Sequence, residues 1–145
     1  MRLAQLFISL FCIVTAFHVG AAPLPLVQAV DHVTVTVTDL EQSHHFYGEL
    51  LGLEEMADDK SGHRTGRWYR LNSISLHLVL AAWTAANDGT HIAFWADDVY
   101  RTAQLLENAG VLVSWDELPP EGIDRFTVRD PSGNLLEIRG CDHSP

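Results

Sequence analysis

The chain has 145 residues, 47% of them apolar and 19% charged, which fits one ordinary globular domain and excludes a multidomain assembly or a disordered chain. Nine Lys and Arg stand against nineteen Asp and Glu, a formal charge of −10, and among the basic residues only Lys60 is a lysine. Nucleic-acid binding through phosphate neutralisation is therefore not expected.

The N-terminus carries Arg2, then an uncharged apolar run from Leu6 to Phe17, then small residues with Pro23 and Pro25. That is the three-part pattern of a secretory signal peptide, and a run of about 12 residues is too short to span a bilayer, which takes roughly 20. Val19 and Ala21 fit the −3 and −1 positions of a cleavage site. Residues 1–21 are thus predicted to be a signal peptide for export to the periplasm or beyond, and residues 22–30 a linker, with no stable membrane insertion after cleavage. Phe11 before Cys12 is too bulky for a lipoprotein site. Cys12 and Cys141 lie far apart, in contexts that suggest neither a shared disulfide nor a cysteine-based zinc cluster. Any metal must then be held by nitrogen and oxygen.

From Asp31 onward the chain repeats itself with a period near 59 residues. DHVTVTVTDLEQSHHFYGELLGL is answered by THIAFWADDVYRTAQLLENAGVLV. Each copy opens on an alternating strand that starts with a His (His32, His91), continues to an acidic residue (Asp39, Asp98), and then enters an amphipathic helix ending at a glycine (Gly52, Gly110). Arg67-Trp68 is answered by Arg125-Phe126, and the strand around Ser75–Val79 by Leu135–Arg139. Each copy reads as strand, helix and three short strands, with Asp130-Pro131-Ser132-Gly133-Asn134 as a hairpin turn. The boundaries predicted are a single domain over 31–145, with module one at about 31–80, a link at 81–90 and module two at about 91–140.

Residues two apart on a strand share a face. Val33, Val35 and Val37 form the helix-covered face of the first strand, which leaves His32, Thr34 and Thr36 opposite. Ile92 and Phe94 leave His91, Ala93 and Trp95; Ile74, Leu76, Leu78 and Leu80 leave Ser75, His77 and Val79; Leu136 and Ile138 leave Glu137 and Arg139. Four metal-capable groups at repeat-equivalent places, His32, His77, His91 and Glu137, therefore sit on the face away from the helices.

The paired βαβββ pattern, the helix string FYGELLGL and the late string RDPSGNLLEI resemble the vicinal oxygen chelate superfamily over about residues 31–140. That superfamily includes glyoxalase I, extradiol dioxygenases, fosfomycin-resistance enzymes and bleomycin-resistance binding proteins. The resemblance implies an α+β fold of paired βαβββ modules whose curled mixed sheets enclose a metal-binding cavity. It places metal ligands on His32, His91 and Glu137, and puts His77 where bacterial glyoxalase I has a Glu. Many relatives pair modules across a dimer, so the resemblance also allows a homodimer.

Imidazoles and one carboxylate suit one divalent metal ion, Zn, Ni, Fe or Mn, with room left for water or a substrate oxygen. His77 is read either as a fourth ligand or as a proton donor just outside the metal. The reaction expected is lyase or isomerase chemistry through a metal-stabilised enediolate on a small molecule with vicinal oxygens, with Glu137 and His77 as the catalytic residues. One alternative is an Fe(II) extradiol-type dioxygenase with His77 as acid/base, and a second is a metabolite- or drug-binding protein without catalysis. Fosfomycin modification fits less well, because Trp115 is followed by Asp116 where those enzymes carry a Lys. Thr34, Trp95 and Arg139 are candidate substrate contacts, although a salt bridge is the simpler use of Arg139. His44 and His45 are expected at the solvent edge of the first helix and His63 in a solvated loop. Tyr47, Trp68 and Tyr69 are expected in the core or a pocket wall.

Overall fold

A computed structural model describes residues 27, 29–57, 65–84, 89–117 and 124–140. The predicted signal peptide, His63, Cys12 and Cys141 lie outside the described residues.

Alternating valines and threonines form β1 (His32–Val37), in which Val35 and Val37 are buried and His32, Thr34 and Thr36 are exposed. Asp39 then caps helix α1 (Leu40–His44): its Oδ1 accepts from the backbone N–H of Glu41 at 2.9 Å and of Gln42 at 3.0 Å. The Gln42 bond, more than any other contact, holds the Asp39 carboxyl below its ordinary range. One amphipathic helix was expected up to Gly52, but the chain widens into a π-helical segment, His45–Leu50, where the Leu51 N–H donates to the Phe46 carbonyl at 3.0 Å. The packing gives the reason. A Cβ at Gly48 would lie 3.0 Å from the His44 ring, and the wider turn sends the consecutive Phe46 and Tyr47 into the core together. Gly52, with φ +71°, ends the helix as the sequence suggests.

Module one continues with β2 (Gly66–Leu71) and β3 (Ile74–Leu80), joined through Asn72 and Ser73. Module two comprises β4 (His91–Ala96), α2 (Val99–Asn108), β5 (Ser114–Trp115), β6 (Arg125–Arg129) and β7 (Leu135–Gly140). Asp98 caps α2 by accepting from the Arg101 N–H at 2.8 Å, and Gly110 follows its end at φ +83°.

The sheets have the orders β1-β3-β2 and β4-β7-β6-β5, each with one parallel and at least one antiparallel pairing. His77 stands opposite Thr34 and Trp68, just as Glu137 stands opposite Ala93 and Thr127. The duplication thus holds at the level of register. It is incomplete at one edge: where module two has β5, module one has a single bridge between Glu55 and Tyr69. Glu54 and Glu55 are charged, exposed and poor strand formers, which keeps that edge short.

The two sheets do not close around one cavity among the described residues. Edge strands β1 and β4 flank a cavity of about 320 Å³, lined by Thr34, Thr36, Tyr47, His91, Asn134 and Leu135 among others. The β6–β7 turn supplies polar contacts that join the modules. Buried Asp130 accepts from the Tyr47 hydroxyl at 2.9 Å, the Asn134 side-chain amide at 2.8 Å, and the backbone N–H groups of Ser132 and Asn134 at 2.9 and 2.8 Å. The Asn134 amide also donates to the Thr36 carbonyl at 2.9 Å, and Ser132 Oγ accepts from the Thr38 N–H at 2.9 Å. Burial and the neighbouring Asp130 push the Tyr47 hydroxyl pKa upward. One apolar cluster runs through both modules, from Val37 and Leu76 to Phe126 and Leu136. No helix among the described residues is long and apolar enough to cross a membrane.

Candidate functional site

In module one, His32 opens β1 and His77 lies mid-way along β3, so the parallel register brings their rings into a stack with centroids 4.4 Å apart and planes 9° from parallel. His32 Nδ1 lies 2.8 Å from an Asp31 carboxylate oxygen, which orients the ring and leaves Nε2 pointing elsewhere. His77 Nε2 lies 2.9 Å from Ser75 Oγ, and the Trp68 ring sits 5.6 Å from the His77 ring. Thr34 is exposed beside them.

In module two, His91 opens β4 and Glu137 occupies β7, with His91 Nε2 4.0 Å from Glu137 Oε2. The Glu137 side chain is 13% exposed and lies between two guanidinium groups: Arg139 Nε is 3.5 Å from Oε1, and Arg125 Nη1 is 3.6 Å from Oε2. Arg125 is held in turn by Asp116 Oδ2, at 2.9 Å from Nε and 2.7 Å from Nη2. The Arg139 guanidinium stacks over the Trp95 ring, 4.9 Å from its centre, and Trp95 is exposed. The salt bridge expected of Arg139 is present.

The structure therefore brings together His32 with His77, and His91 with Glu137, Arg139 and Trp95. It does not bring the two pairs together: among the described residues no three His, Cys, Asp or Glu side chains gather into a metal-holding group within one chain. Each pair still suits a divalent ion by its donor atoms. Two donors about 2.1 Å from one tetrahedral ion lie about 3.4 Å apart, so the His91 and Glu137 atoms, now 4.0 Å apart, need only a small approach to share one.

The Glyoxalase/Bleomycin resistance protein/Dioxygenase superfamily model matches residues 29–138. The chain belongs to that superfamily. Among superfamily relatives, it is 32% identical over 118 residues to the glutathione transferase FosA of Serratia marcescens, covering 78% of this chain and 81% of that protein. It is 29% identical over 127 residues to Glyoxylase I 4 of Arabidopsis thaliana, covering 81% and 73%. Among solved structures, a glyoxalase family protein from Bacillus anthracis aligns with TM-score 0.73 at 28% identity, over 81% of this chain and 98% of that one. A variant of the fosfomycin resistance protein FosX from Listeria monocytogenes, solved with Mn(II) and a dihydroxypropylphosphonic acid, shares the fold at TM-score 0.70 and 16% identity, over 79% and 93%.

Other residues of this superfamily member fall into structural places. Tyr47 and Tyr69 are fully buried, and burial pushes the Tyr69 hydroxyl up to about 12. His45 is exposed and pairs with Glu49 at 2.6 Å. His44 departs from the expected solvent edge: it is half-buried, with Nδ1 2.9 Å from the Tyr69 hydroxyl and 3.5 Å from a Glu55 oxygen, because the π-helical segment turns this side of the helix onto β2. Sequence reasoning put Ser75 on the His77 face but missed Arg125 and Asp116 as neighbours of the site. Arg125 was within reach of parity, since it pairs with Arg139.

Proposed function

We propose that the chain is a divalent-metal-dependent enzyme of the glyoxalase type, a lyase or isomerase acting on a small molecule with two neighbouring oxygens. The observation that carries this reading is the register equivalence of the two half-sites: His32 with His77, and His91 with Glu137, each pair on the open face of a sheet at matching positions. His32, His77, His91 and Glu137 would hold the ion, which supplies Lewis-acid polarisation of substrate oxygens when bound. Since the pairs do not meet within one chain, the module-one pair of one copy would face the module-two pair of a second, making a homodimer the active unit. A Glu137 carboxylate oxygen would take a proton from one oxygen-bearing carbon of the substrate and return it to the neighbouring one. Trp95, Thr34 and Arg139 border the open faces and contact the substrate.

A ring-cleaving dioxygenase is the second reading, supported by the Ser75–His77 hydrogen bond, which orients the imidazole in a way that suits proton transfer. We also propose export, with residues 1–21 removed, for which mass spectrometry of native protein should find an N-terminus near Ala22.

Metal stoichiometry in mixed variants tests the main reading. His32→Ala and His91→Ala proteins should each bind no stoichiometric metal alone, whereas each mixed dimer of the two should regain one complete site. Metal retained by both single variants, or no recovery on mixing proteins shown to exchange chains, would overturn it. In purified loaded protein, iron with oxygen consumption selects the dioxygenase, and zinc or nickel with isomer formation selects the lyase.

A further inference from the structure

A chain with nine basic residues against nineteen acidic ones places Arg125, Arg129 and Arg139 on the same sheet face as Glu137. Arg125 and Arg139 stand directly opposite each other across β6 and β7. Like charges in that position destabilise a sheet. A structural ion pair needs one arginine for Glu137, yet two approach it, one toward each carboxylate oxygen. Asp116 answers Arg125, so when Glu137 is engaged in the site proposed above less of its charge is left for Arg139, and the positive side of the pair faces the reacting centre.

Both arginines are also held in defined orientations. Asp116 grips Arg125 through Nε and Nη2 and so turns Nη1 toward Glu137, while the face of Trp95 supports the Arg139 plane. Their side chains are 22% exposed, partly withdrawn from water, where attraction to an anion is stronger than in bulk solvent. The net negative chain repels anions at long range, so capture here must be local and specific.

We propose that Arg125 and Arg139 receive a carboxylate group of the substrate, carried next to the two oxygens that enter the reacting centre, with Trp95 as the adjoining wall. A planar monoanion matches guanidinium forks. Glu137 and Asp116, which already lie against these guanidiniums, repel a phosphate dianion more strongly than a carboxylate monoanion. The assignment rests on His91 and Glu137 belonging to the reactive site.

Calorimetric titration of the full chain, metal-free and metal-loaded, tests it with glycerate, its neutral amide glyceramide, and glycerol 3-phosphate. Glycerate should bind at least tenfold more tightly than glyceramide and more tightly than glycerol 3-phosphate. Arg139→Gln and Arg125→Gln should bring glycerate and glyceramide to within about threefold of each other, whereas Arg67→Gln, on the helix-covered face of module one where it bonds Glu41 and Glu55, should keep the difference. Equal binding of glycerate and glyceramide by the unmodified protein overturns the proposal without any variant having to fold. So does a tenfold difference that survives both substitutions, and a preference for the phosphate overturns the carboxylate assignment. Loss of the metal reading would show separately, as failed metal stoichiometry with glycerate selectivity intact in metal-free protein.

Discussion

The two modules share a register residue by residue, yet they have diverged in what that register carries. Module one puts an aromatic and imidazole surface on its open face, His32 stacked on His77 with Trp68 beside them. Module two puts a carboxylate between two guanidiniums at the same place. Their connections differ as much. Module one turns from β2 to β3 through Asn72 and Ser73, whereas module two uses the longer Asp130–Asn134 turn, whose polar groups reach across to Tyr47, Thr36 and Thr38. A duplicated backbone thus keeps its hydrogen-bond ladder, which depends on no particular side chain, and diverges in open-face residues and turns, where a substitution leaves the ladder intact.

The largest expected effects break the division of chemistry between modules. Glu137→Ala or His91→Ala should abolish stoichiometric metal binding in equilibrium dialysis, since each removes a donor from the proposed site, which has few to spare. His77→Ala should weaken affinity strongly if His77 is a ligand, by roughly 100-fold or more, on the scale of losing a group that tunes a metal site. His77→Glu, which makes module one chemically resemble module two, should retain metal. Full occupancy in a folded His77→Ala protein would instead make His77 a proton-transfer group and lower turnover only.

Next comes the asymmetry of the turns. Asp130→Ala leaves the Tyr47 hydroxyl and two backbone N–H groups without their acceptor inside the protein, so it should cost about 3 kcal/mol in urea unfolding. Tyr47→Phe removes one of those donors and should cost about 1 kcal/mol or somewhat more.

A smaller effect appears in alkali. The Tyr69 hydroxyl is raised from its ordinary 10 to about 12 by burial. Its folded-state pKa exceeds the unfolded one, so the stability it contributes is complete below pH 10 and is lost as pH climbs from about 10 to about 12. The unfolding midpoint should fall across that window, and Tyr69→Phe should flatten the fall. The smallest effect separates the two turns: Asn72, at φ 49°, should tolerate Gly within about 1 kcal/mol, whereas Gly133→Ala, at φ 87°, should destabilise by about that amount.

Local chemistry explains what the sequence could reveal. Strand parity placed His32, His77, His91 and Glu137 on open faces because side-chain alternation belongs to each strand alone. The helix caps Asp39 and Asp98 and the terminating Gly52 and Gly110 followed from backbone needs within a few residues. The π-helical segment did not follow, since it depends on how Gly48 meets His44 and on the burial of Phe46 and Tyr47 together. The approach of Arg125 to Glu137 and the separation of the two histidine-containing pairs depend on strand neighbours and module placement, which no single-segment periodicity encodes. Four matching positions looked like one site, and the structure resolves them into two halves.

The β6–β7 turn has a consequence for the covalent connection between the modules. Besides the shared apolar cluster, polar contacts between them run from Asp130, Ser132 and Asn134 to Tyr47, Thr38 and Thr36, far from the 81–90 link in sequence, and on the link itself Thr84 donates to the Ser132 carbonyl at 2.8 Å. Peptide continuity then acts mainly as a tether that raises the effective concentration of one half near the other. A chain nicked after Thr84 should persist as a two-fragment particle, and the halves made as separate polypeptides should reassociate. The duplicated chain should thereby behave as a split protein, its halves held along a seam inside one molecule.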